Sequence, residues 1–158
     1  MLDQDNTPKF DAPMREGDSL KRTTGDSLRR MIISIIALHA MVVVAHSAAH
    51  MSLNILMNGW QNAYIFVVIV LLPLVAGYLI WKRARRGYLI LFLSMLGALL
   101  FGGYYHFVLA GADNVSTVGH HAMRSWAQLF QVSALLLALV EFAGVVAGVA
   151  GLAKGRES

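Results

Sequence analysis

The chain has 158 residues, 57% of them hydrophobic and 14% charged, with a net charge of +4 and a mean hydropathy of +0.59. A soluble domain carries nearer a quarter of charged residues, so the composition points to a bilayer as solvent and, at this length, to one compact unit. With no cysteine, disulfides, thiolate-held zinc, iron–sulfur clusters and covalently attached c-type haem are excluded. The basic residues flank apolar blocks and do not line one face among aromatics, which speaks for membrane topology and against a nucleic-acid partner.

Residues 1–27 are polar and mixed in sign, and Pro8, Pro13, Gly17 and Gly25 interrupt any long periodicity. A polar cytoplasmic tail is expected there. It does not have the form of a cleaved signal peptide, in which a short basic region leads at once into an apolar core. "TTGDSLRRM" offers Asp26 or Ser27 as the N-cap of the first helix.

Four apolar blocks make up the 28–158 domain, at about 31–53, 64–81, 88–112 and 126–153. At about 1.5 Å per residue, a helix needs about 20 residues to cross a hydrocarbon core about 30 Å thick, and each block is near that length or longer. None alternates as a barrel strand does, so the expected fold class is all-α, an integral membrane four-helix bundle. Pro73 and Gly77 predict a kink in the second block.

Basic residues set the expected orientation. Lys21, Arg22, Arg29 and Arg30 precede block one, Lys82, Arg83, Arg85 and Arg86 separate blocks two and three, and Lys154 and Arg156 follow block four. The two opposite loops hold only Arg124. By the positive-inside rule both termini lie in the cytoplasm, in a plasma (inner) membrane, with Trp60, Tyr64, Trp81, Tyr88 and Trp126 at the interfaces.

"HAMVVVAHSAAH" carries His39 close to the middle of block one, His50 near its outer end and His46 one turn below His50. At about 100° per residue the three imidazoles fall within about 40° of one direction and form a stripe. Block three brings His106, in "GGYYHFVLAG", to the same end, and the loop after it adds His120 and His121. A single imidazole in a membrane helix often only hydrogen-bonds a neighbour. Convergence from three segments argues for more, since polar groups in hydrocarbon are costly.

The i,i+4 pair His46 and His50 is a two-ligand chelate, and His106 with His120 or His121 would complete a metal site. Imidazole suits copper and zinc at an exoplasmic site, and thioethers of Met41, Met51, Met57 or Met123 would favour Cu(I), although methionine in an apolar chain is usually packing. Haem b is the alternative cofactor, with His46 or His39 opposite His106 as axial ligands and Gly97, Gly102 and Gly103 admitting the macrocycle. It leaves one of His46 and His50 without a role, so the chelate accounts for more of the residues.

Glu141, the acid inside block four, falls near the depth of His39. A contact between them would give a proton path or a hydrogen bond behind a ligand that fixes its tautomer. Ser34, Ser94, Gln128 and Gln131 are expected as interhelical polar contacts. Gly144 and Gly148 form a GxxxG pair that suits packing within the bundle or against another subunit.

Two functions follow. The first is a membrane protein with a histidine-ligated transition metal, part of or accessory to a redox or metal-handling system with other membrane subunits. The second is a cofactor-free accessory subunit whose histidines are interhelical hydrogen bonds. Hydrolysis and phosphoryl transfer lack the residues they need.

Overall fold

The computed structural model describes residues 16–154, which form an all-helical bundle with four helices long and apolar enough to cross a membrane. Helix α1 is Glu16–Ser52, α2 is Gly59–Trp81 and α3 is Arg86–Val108. A single turn of helix, α4, spans Val115–Val118, and α5 spans Arg124–Lys154. Direction alternates along the chain. Asp26 near the start of the apolar part of α1 meets Arg83 of the α2–α3 turn at 3.3 Å, while His50 and His106, near the ends of α1 and α3, lie together at the other end. These are called below the basic end and the histidine end.

Helix α1 begins well before Asp26. The expected start at Asp26 or Ser27 fails because one glycine in a helix interior costs only about 1 kcal/mol and does not stop it. Asp26 pairs with Arg29 at 3.4 Å as well as with Arg83, so it ties α1 to the α2–α3 turn and does not cap a helix. Residues 1–15 of the expected tail lie outside the described residues.

Pro73 acts on winding. The segment Ile65–Leu71 immediately before it is π-helical, with Leu72 N–H bonded to the Val67 carbonyl, and α-helical winding resumes at Leu72. Proline has no N–H and crowds the carbonyl four residues back, and a wider turn relieves both problems without unpairing the chain. The last turn of α3, Tyr104–Val108, is also π-wound and holds His106.

Helix α5 is the axis of the bundle. It packs most extensively on α3 and α1, and 44% of its most apolar window is buried, against 22–28% for the other spans. The glycines of block four explain the close approach to α3: a Cβ at Gly148 would stand 3.0 Å from the Phe92 backbone nitrogen, and one at Gly144 2.6 Å from Met95 Cγ. The GxxxG face is therefore spent inside the bundle.

Two apolar clusters divide the interior. Ile32, Ile36, Ala76, Ile80, Leu91, Met95 and Ala147 fill the basic half. Ala49, Leu53, Val118, Ala127 and Phe130 lie at the histidine end. Between them along α1 and α5 sit the buried polar groups His39, His46, Ser133 and Glu141. Outward faces rich in Leu, Val, Phe and Trp remain exposed on all four long helices, as lipid contact requires.

Candidate metal centre

His46 and His50 project from successive turns of α1 onto one face, and the π-wound end of α3 turns His106 toward them. His46 Nε2 lies 3.1 Å from His106 Nε2 and 3.2 Å from His50 Nε2. Phe130 of α5, fully buried, packs against all three rings at centroid distances of 4.8, 5.0 and 5.3 Å. These histidines form a compact group that could hold a metal ion.

The outer nitrogens fix the protons. His46 Nδ1 lies 2.8 Å from the Ser133 hydroxyl, whose own hydrogen goes to the Leu129 carbonyl at 2.6 Å, so the imidazole donates and the serine accepts. His50 Nδ1 faces the Ile55 carbonyl at 3.3 Å and His106 Nδ1 the Asp113 carbonyl at 3.1 Å. A carbonyl can only accept, so neutral His46 and His106 carry their hydrogen on Nδ1 and turn a bare Nε2 lone pair inward, while His50 has an acceptor at each nitrogen, the Ile55 carbonyl at Nδ1 and Asp113 Oδ1 3.2 Å from Nε2. The His46 and His106 lone pairs repel at their separation unless a cation lies between them. A proton serves one pair at a time, whereas a metal ion serves all three rings. Ligands on a tetrahedral ion with bonds of about 2.0–2.1 Å stand about 3.3 Å apart, which the two His46 spacings approach to within a few tenths of an ångström, all three ligand atoms lying within 4.8 Å of one another.

The site opens on a cavity of about 330 Å³ between the helices, lined by the three histidines, Ser47, Asn62 and Glu141 among apolar neighbours. A second cavity of about 550 Å³ shares Val43, Ser47, Met51 and Ile69 with it and reaches His39 and Pro73. His39 Nε2 lies 3.5 Å from Glu141 Oε1, both side chains at most 4% exposed. The geometry is a three-histidine group with an approach from one side and a buried acid–imidazole pair beyond it.

Other residues fall outside this group. His120 and His121 are exposed after α4, where His121 Nδ1 accepts the Met123 N–H at 3.2 Å; the turn after Val118 carries them away from the cluster. Met51 and Met57 border the cavity, but Met51, like Met41 and Met123, is exposed. Gln131 does bond the Val115 carbonyl across helices at 2.9 Å, whereas Ser94 donates back to Leu91 of its own helix at 3.1 Å, a local alternative open to any helical serine.

The haem geometry is less well served. Axial nitrogens on one iron stand about 4 Å apart, twice a metal–nitrogen bond of about 2 Å, and His46 Nε2 and His106 Nε2 are closer than that. His39 faces Glu141, and the approach at Gly97 is taken by the Tyr64 hydroxyl, 2.8 Å from where a Cβ would lie.

Sequence reasoning missed Ser133, Phe130 and Asp113. A usable signal existed for the last: from Met31 to Ala153 the only acids are Asp113 and Glu141. Comparison with protein-family models, with curated proteins and with solved structures finds no match, so the functional argument stands on this geometry alone.

Proposed function

We propose that His46, His50 and His106 bind a transition-metal ion, copper or zinc, and that the chain serves a membrane redox or metal-handling system. One observation carries this reading: three Nε2 atoms converge while every Nδ1 faces an acceptor. Hydrogen bonds behind the ligating nitrogens are what metal-bound histidines require to fix tautomer and ring orientation. The second candidate, a cofactor-free accessory subunit, accounts for the bond from His46 to Ser133 but gives no reason for three Nε2 atoms to meet.

Orientation follows from charge. Arg29, Arg30, Lys82, Arg83, Arg85, Arg86 and Lys154 gather at the basic end and Arg124 alone at the other, which favours cytoplasmic termini and an exoplasmic metal site in a plasma (inner) membrane. Within the cavity, Glu141 and His39 supply the polar groups through which the inner side of the site would be ordered or exchange a proton.

Elemental analysis of detergent-purified protein from cells supplied with copper and zinc tests the reading. Near-stoichiometric metal is expected, reduced at least about tenfold by His46→Ala with His50→Ala. A metal-free protein, or full occupancy in the double variant, would reject these ligands and leave the accessory-subunit reading.

A further inference from the structure

We propose that Asp113 is the fourth ligand of this site and makes it select a divalent ion, Zn(II) or Cu(II), over Cu(I); the inference rests on the three-histidine reading. Asp113 lies in the loop between α3 and α4. Its Oδ1 is 3.2 Å from His50 Nε2, the same atom that stands 3.2 Å from His46 Nε2. Nitrogen and oxygen ligands on one tetrahedral ion are about 3.3 Å apart at bond lengths of about 2.0–2.2 Å. Oδ1 thus stands at ligand spacing from His50 Nε2 and on the Nδ1 side of His106, at the edge of the compact three-histidine group, into which an ion bound at His50 would draw it.

The state of the carboxylate supplies the second observation. Both oxygens of Asp113 are buried, and neither receives a hydrogen bond. His106 Nδ1 also stands 3.2 Å from Oδ1, but its hydrogen is directed to the Asp113 main-chain carbonyl at 3.1 Å. Orienting His106 is therefore the task of the backbone, and the side chain is left as a buried carboxyl group with no aligned hydrogen bond. Such a group calls for a cation.

The loop holds this arrangement in place. Asn114 accepts from Ser116 N–H at 2.9 Å and donates to the Leu109 carbonyl at 3.1 Å, while Gln131 of α5 bonds Val115 at 2.9 Å. The carboxylate is presented by a fastened turn. Three neutral imidazoles leave a divalent ion's charge uncompensated, and one carboxylate halves it. Carboxylate oxygen suits harder ions, whereas Cu(I) gains little from it and prefers soft sulfur donors.

The test uses the detergent-purified chain and its Asp113→Asn and Asp113→Cys variants, titrated with Zn(II), Cu(II) and Cu(I) against competing chelators. Asp113→Asn is expected to weaken Zn(II) and Cu(II) by about 10–100-fold or more while changing Cu(I) by less than about threefold. Asp113→Cys, the sole thiol in the chain, should move the preference toward Cu(I) and give an intense near-ultraviolet sulfur-to-metal band with Co(II), which a merely structural aspartate would not. Divalent affinity unchanged in Asp113→Asn, equal losses for all three ions, or no such band in Asp113→Cys would overturn the proposal while leaving the histidines as ligands. A wild-type chain that binds none of the ions would overturn the three-histidine reading and this proposal with it.

Discussion

His46 Nδ1 and the Ser133 hydroxyl lie 2.8 Å apart between α1 and α5, and this single bond decides which nitrogen of His46 faces His50 and His106. Ser133 is committed in turn to the Leu129 carbonyl, so it can only accept from the ring. Ser133→Ala removes the acceptor and lets the hydrogen move to Nε2, the ligating atom. Metal affinity is expected to fall about 10–100-fold with the helices intact. Competition titration of Ser133→Ala beside Ser133→Thr, which restores an acceptor, checks this; equal affinity in Ser133→Ala and wild type would show that the tautomer is set elsewhere.

The same proton inventory fixes the sign of the pH dependence. Each Nε2 must be bare to bind metal, and acid puts a proton on that atom while Nδ1–H stays with its acceptor. Affinity should therefore fall with falling pH, because protons compete with the ion for the ring nitrogens. Titrations between about pH 8 and about pH 5 measure it. A flat profile would mean that the histidines do not ligate.

Much of the fold is legible in the sequence because block length and hydropathy are properties of each segment alone. The stripe of His39, His46 and His50 is legible for a related reason, a helix repeating itself every 3.6 residues. His120 and His121 could not be placed in this way, since a loop has no period, and the same holds for Asp113, one loop residue that does turn inward. The π-wound end of α3 is equally silent in sequence, although it aims His106. The helix start was misplaced because Gly25 weakens a helix without ending it, and local composition does not report the ion pair of Asp26 with Arg83.

His39 and Glu141 link α1 to α5 below the cluster at 3.5 Å, and both are almost fully buried. His39→Leu or Glu141→Leu alone leaves the other polar group without its neighbour, at an expected cost of about 1–3 kcal/mol. The double variant should cost less than the sum, because an apolar pair of similar size replaces both groups at once. Unfolding of all four proteins in one detergent gives the coupling energy. Strict additivity would mean that the two side chains do not interact.

Two glycines in this chain have opposite predicted responses to the same substitution. Gly148 lets α5 lie against α3 so closely that a Cβ would come within 3.0 Å of the Phe92 backbone nitrogen, an atom that cannot swing aside as a flexible side chain would. Gly148→Ala must separate the helices or bend one, at a cost of about 1–3 kcal/mol. Around Gly25 a Cβ would meet nothing within 4 Å, and none of the described glycines has a positive φ. Gly25→Ala therefore removes only the conformational freedom of the unfolded chain and should stabilise α1 by about 0.5–1 kcal/mol. Thermal unfolding in one detergent compares them directly: the midpoint should fall for Gly148→Ala and rise for Gly25→Ala. A fall for both would mean that α1 depends at Gly25 on something other than its own winding, and no change at Gly148 would mean that α3 and α5 are not held together by this face.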